Sequence, residues 1–151
     1  MENAPALLKN SLNFKIYRLA GLLRRELIRA LRPYNLTPER WQILAALWEQ
    51  EHGVSQSWLC AITLKDAPSI SRLVAAMEKE GWIERPTSRE DSRAYLVKAT
   101  QRATAMRSSI VSSLQIHFST IMSGFPVDSQ KQLKTLVDAY LEFYETLEKP
   151  N

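Results

Sequence analysis

The segment SISRLVAAMEKEGWIERPTSREDSRAYLV, residues 69–97, holds the side chains best equipped for recognition chemistry. Arg72 offers a planar fork of donors that fits a guanine edge or a phosphate, and Ser69 and Ser71 can hydrogen-bond phosphate or base at short range. Arg89 within a charged loop and Arg93 just after it can each bring a guanidinium into a narrow, electronegative minor groove, and Asp91, two residues before Arg93, can orient it. This is the chemistry of binding, in which no covalent bond is made or broken. The sequence has no glycine-rich phosphate loop, no nucleophile elbow and no carboxylate pair in a recognisable setting, so no catalytic residue is assigned and an enzyme is not expected. His52 and His117 are distant from each other and join no Cys or carboxylate group at ligand spacing, so no metal or other cofactor is expected. Cys60 cannot form an internal disulfide, and beside Leu59 and Ile62 it reads as a small core residue.

The elements that must position these residues follow from periodicity. From Leu8 to Leu31 apolar residues recur every three or four positions, the stripe of one long amphipathic helix that ends at Pro33. A second face of it carries Lys15, Arg18, Arg25, Arg29 and Arg32, a basic edge read first as a solvated surface. LTPERWQILAALWEQ supplies Thr37 as N-cap, Pro38 at the first helical position and an inward set of Trp41, Ile43, Leu44, Leu47 and Trp48. Ser55 caps a short third helix with Trp58, Leu59 and Ile62 on its apolar side, and the turn Lys65 to Pro68 offers Asp66 or Ser69 as the next cap. The fourth helix turns Ile70, Leu73, Val74 and Met77 inward, leaves Ser69, Ser71, Arg72, Ala75, Ala76 and Lys79 outside, and reaches Gly81 as its left-handed terminator. WIER and AYLVK then read as two strands around the loop PTSREDS. A long helix from Thr100 toward Phe125 and a final one after Asp128 or Ser129 close the chain. The last helix has a face of Leu133, Leu136, Val137, Tyr140, Leu141, Tyr144 and Leu147, too broad and aromatic to leave wet on a monomer.

Two short helices joined by a tight turn make a helix-turn-helix, and a hairpin beside the second helix adds a wing. A helix with small outward side chains can lie deep in a major groove while the hairpin reaches the neighbouring minor groove. The expected fold is therefore mainly α with a small β-hairpin wing, as one domain over residues 1–151. The winged helix-turn-helix lobe takes 37–99, between long helical segments at 1–33 and 100–151.

Composition agrees with one folded unit, at 45% apolar and 24% charged. Net charge is +4, and it is unevenly placed: residues 1–37 hold seven Lys or Arg against two acids, whereas 54–100 hold seven basic and six acidic side chains. DNA contact in the lobe must then come from placement and not from bulk charge. Apolar runs are broken by Lys or Arg well short of a membrane span, and no signal peptide is recognisable, so a cytoplasmic protein with no membrane partner is expected.

The order helix, LTPERWQIL, short helix, SISRLVAAMEKEGWIER, DSRAYLV and two closing helices resembles the MarR (multiple antibiotic resistance regulator) family of bacterial winged helix regulators over almost the whole chain. The specific pieces are the Leu-Thr-Pro opening at Leu36, Ser71-Arg72-Leu73 with Met77-Glu78-Lys79-Glu80-Gly81, and the wing signature at Asp91 and Arg93. The resemblance implies a homodimer held by the first, fifth and sixth helices of the sequence reading. It implies binding to a pseudo-palindromic double-stranded DNA operator, usually as a repressor, and release by a small, often aromatic or phenolic effector bound between the dimer helices and the DNA-binding lobe. Tyr17, Trp41, Trp48, His117 and Phe118 are the candidates for such a pocket, set against their plainer reading as aromatic core. The chain departs from the family at Ala75 and Ala76, where a polar or charged pair is common, and VKATQRATAM after the wing lacks the usual Leu-Thr and glycine. The rival reading is a winged helix used to bind protein, which would need neither Arg72 nor the wing arginines.

Overall fold

Side-chain caps set most of the element boundaries in the computed structural model, which describes residues 5–85 and 96–148. The expected first helix is two helices, α1 (Ala6–Asn10) and α2 (Leu12–Leu31). The break is at Ser11, whose backbone is extended and whose hydroxyl accepts from the Phe14 amide at 3.2 Å, so that a new N-terminus is capped where the apolar stripe alone runs on. A single 3-10 turn, Arg32–Tyr34, follows. Helix α3 (Pro38–Leu47) opens as expected on Thr37, which accepts from the Arg40 amide, with Pro38 in the first turn. Ser55 caps α4 (Gln56–Thr63) through the Trp58 amide, and Asp66 caps α5 (Ala67–Lys79) through the Ser69 amide at 2.7 Å.

Helices α4 and α5 are joined by a turn that places Leu64 in the left-handed region at φ 52°. A branched side chain there costs on the order of 1 kcal/mol, so the tight turn is held against a local backbone preference. Helix α5 ends more comfortably. Gly81 takes φ 74°, its amide donates to Glu78 O, and the Trp82 amide donates to Met77 O at 2.9 Å, the paired bonds that close a helix around a left-handed glycine.

The strands β1 (Ile83–Glu84) and β2 (Lys98–Ala99) pair antiparallel, with Ile83 opposite Ala99 and Glu84 opposite Lys98. Among the described residues they are shorter than the expected runs WIER and AYLVK, of which Ala94 and Tyr95 lie outside those residues. A third stub was not legible: Val54 exchanges both backbone hydrogen bonds with Val97, at 2.9 and 2.7 Å. Gly53 is what allows that approach, because a Cβ at its position would stand 2.9 Å from Val97 O, and its φ is 81°. Arg89, Asp91 and Arg93 lie outside the described residues.

The core of this lobe sits where α3, α4, α5 and the strands converge, with Ile43, Leu44, Leu59, Ile70, Val74, Met77 and Val97 sealed from solvent. Trp41 and Trp48 are only half-buried, and Ile62 is exposed, in contrast to their expected inward positions. Thr100 caps α6 (Gln101–Met122) through the Ala103 amide, and α7 (Val127–Glu148) follows. The chain divides within α6 into two compact units, the first ending at Leu114 and the second beginning at Gln115. Among the described residues no helix is long and apolar enough to cross a membrane.

Candidate nucleic-acid interface

Helix α5 has two sharply different sides. Ile70, Val74 and Met77 are fully buried, while Ser71, Arg72, Ala75 and Lys79 are exposed and Ser69, Leu73 and Ala76 are half-exposed. The apolar spacing i, i+4, i+7 locks the inward side, so the outward row is fixed by the same pattern that folds the lobe. Among the described residues, the hydrogen bond Arg72 makes is a long 3.5 Å contact from its Nη2 to Ser69 Oγ, which leaves donors of its fork available there.

Both ends of α5 are anchored. At the N-terminus the Asp66 carboxylate is held below the usual carboxylate range, first by the hydrogen bond from the Ser69 backbone and further by the nearby Arg72 charge. At the C-terminal end Arg40, from α3, forks onto Glu80 with two 2.7 Å bonds. Arg102, at the start of α6, donates to Glu80 O at 3.4 Å and lies 5.4 Å from the centroid of the Trp82 ring. Thr100 Oγ1 donates to Gly81 O at 2.9 Å while it caps α6. One short stretch after α5 is thus tied to α3 and to the N-terminus of α6. Sequence reasoning missed Arg40 and Arg102, because cross-element partners forty or twenty residues apart leave no periodic trace.

A cleft of about 340 Å³ runs beside α5, lined by Glu39, Lys65, Ser69, Arg72, Leu73 and Ala76. Two cations face it, but its one carboxylate is occupied: Arg24 of α2 holds Glu39 at 2.7 Å. Burial raises the Glu39 pKa, yet hydrogen bonds from Arg24, its own backbone and Thr37 outweigh that and leave it lowered. The basic edge of α2 is likewise partly neutralised, since Arg29 pairs with Glu26.

The aromatic candidates fall into separate groups. Trp41 and Trp48 meet edge to face at 5.7 Å, and Trp48 also borders a cavity of about 240 Å³ with Leu47, Gln50, Glu51, Lys98, Ala99 and Thr104. Tyr17 is exposed on α2. In the second unit His117 and Phe118 meet edge to face at 5.6 Å. Among the described residues no three of His, Cys, Asp and Glu gather as a metal-ion group.

A helix-turn-helix with a two-stranded wing, carrying an outward arginine on its second helix, is the architecture of winged helix proteins. Residues 34–94 match the model of the MarR family, and the fold is that of solved MarR-family regulators. CouR of Rhodococcus jostii RHA1, solved with p-coumaroyl-CoA, is 23% identical with a TM-score of 0.76, covering 90% of this chain and 95% of its own. Wild-type MarR of E. coli in its apo form is 20% identical with a TM-score of 0.75, over 87% of this chain and 97% of that one. MepR of S. aureus, solved as a DNA complex, is 17% identical with a TM-score of 0.76, again over 87% and 97%.

Proposed function

We propose that the protein is a cytoplasmic, homodimeric transcriptional regulator that binds a pseudo-palindromic operator and represses by occupying it. The observation that carries the reading is the outward row of α5, where Ser71, Arg72, Ala75 and Lys79 stand clear of a fully buried Ile70, Val74 and Met77. Two such helices, related by a twofold axis, would enter successive major grooves about 34 Å apart. Ser69, Ser71 and Arg72 are the residues proposed for the major-groove and phosphate contacts, and Arg89, Asp91 and Arg93 those proposed for the minor-groove contact.

The second copy is supported by apolar surface. On α7, Leu133, Leu136, Val137, Leu141, Tyr144 and Leu147 are exposed at helical spacing, and Leu12, Ile16, Leu19 and Leu23 are exposed on α2. Apolar faces of that extent mark interaction surfaces, and a second copy of the chain is the occupant proposed for them. The DNA complex of MepR and the p-coumaroyl-CoA complex of CouR support the two ligand classes, operator DNA and a small aromatic effector. Tyr17, Trp41 and Trp48 are the effector candidates on the first unit, and His117 and Phe118 those on the second. An effector releases DNA by changing the separation of the two α5 helices.

Footprinting of the purified protein on the DNA upstream of its own coding sequence tests this, with phenolic acids and their thioesters added in turn. Protection of two half-sites about one helical turn apart, lost in Arg72→Ala, is expected. No protection at low salt, or unaltered protection in Arg72→Ala, would refute it and favour a protein-binding winged helix.

A further inference from the structure

We propose that Ala75 is a specificity-determining residue that reads the 5-methyl group of a thymine in each half-site, one base pair from the position met by Arg72. This inference rests on the DNA-binding reading above and adds a sequence preference to it. Ala75 is exposed on α5, one turn beyond Ser71 and Arg72 and one turn before Lys79, so it stands in the middle of the outward row. The side chains that set the orientation of that row, Ile70, Val74 and Met77, have no exposed surface, so α5 cannot rotate to present a different residue without opening the core.

The chemistry follows from what Ala75 lacks. Its exposed neighbours along the row, Ser71, Arg72 and Lys79, all carry hydrogen-bonding groups, whereas Ala75 offers a bare methyl. Among the four bases only thymine presents an apolar group in the major groove, and alanine is a residue type that contacts it. A polar base edge opposite Ala75 would be stripped of water with no partner supplied, which disfavours cytosine, guanine and adenine there. Three residues along a helix advance about 4.5 Å against about 3.4 Å per base pair, so the methyl meets the pair next to the one reached by Arg72. Ala76 is half-exposed where Ala75 is exposed, and so is less well placed for the same contact.

The test uses the full-length protein. Duplexes are selected from a randomised pool, and the selected operator is then synthesised with deoxyuridine, which lacks only the 5-methyl, in place of each thymine in turn. Burial of one methyl corresponds to about fourfold in affinity, so one thymine position per half-site should show about a fourfold loss, and both together about fifteenfold. In Ala75→Ser and in Ala75→Gly the thymine-to-uracil ratio at that position should fall to within about twofold. The ratio is taken within each variant, so partial unfolding cancels. If no thymine position changes by more than about twofold in the wild type, or if both variants keep the full ratio, Ala75 does not read the methyl and the DNA-binding reading survives alone. If no duplex is enriched at all, both fail.

Discussion

The lobe around α5 and the terminal helix α7 are built from similar apolar residues and treat them in opposite ways. In the lobe Ile43, Leu44, Ile70 and Met77 are each 0% exposed, whereas on α7 Leu136 remains 68% and Leu141 59% exposed. One stripe is satisfied inside its own unit. The other is equally regular, yet its own unit does not cover it. The difference separates two tasks that a single hydrophobic pattern can encode, folding a lobe and, in the function proposed above, joining two copies of it, and a helical period does not say which of the two a stripe serves.

The comparison breaks most visibly if α7 is made polar. Leu136→Glu with Leu141→Glu is expected to turn a dimer into a monomer in analytical ultracentrifugation while the lobe keeps its helical circular dichroism, and operator binding should fall by a hundredfold or more, because two linked half-sites become one. Within the lobe the same kind of change acts on folding instead. Leu44→Ala should lower unfolding free energy by about 2–5 kcal/mol in urea titration, with no change in the subunit mass of the folded fraction.

Smaller changes sharpen the contrast between core and anchor. Arg40→Ala removes the fork on Glu80, which is partly solvent-exposed, so its stability cost should be about 1 kcal/mol or less, and operator affinity should fall further than that cost accounts for. The exchange Arg40→Glu with Glu80→Arg should restore both, measured by thermal melting and anisotropy. At Asp66 the folded pKa lies below the unfolded value, so the cap stabilises α5 above the unfolded pKa and is lost as pH falls through the folded one. Wild type should therefore lose melting temperature in that acidic window by more than Asp66→Asn, whose uncharged cap does not titrate. Leu64→Gly acts in the opposite direction, a gain of about 1 kcal/mol in urea titration from relief of the left-handed leucine.

Much of the lobe could be read from the chain because its cues are local. Thr37, Ser55 and Asp66 cap the helices that follow them, and Gly81 terminates α5 as its spacing implies. What escaped was either a local cue overruled or a contact without periodicity. Ser11 splits a stripe that would otherwise read as one helix, since a hydroxyl capping a free amide outweighs continuity of the apolar face. The Val54 bridge and the Arg40 fork join residues 43 and 40 positions apart, and no window along the chain connects them. Of the candidate site, Ser69, Ser71 and Arg72 fall together on α5. The aromatic candidates divide into the Trp41–Trp48 pair, the His117–Phe118 pair and an exposed Tyr17.

The most direct test of the central claim, that α5 presents Arg72 to a duplex from each of two subunits, is the salt dependence of operator binding for wild type and Arg72→Ala. Each lost phosphate contact flattens the slope of log K against log salt by about 0.9, and a lost guanine contact costs about 1–3 kcal/mol per half-site without changing the slope. Arg72→Ala is expected to bind at least about thirtyfold more weakly at fixed salt, with the slope either unchanged or flattened by about 2. Equal affinity and equal slope for the two proteins would contradict the claim.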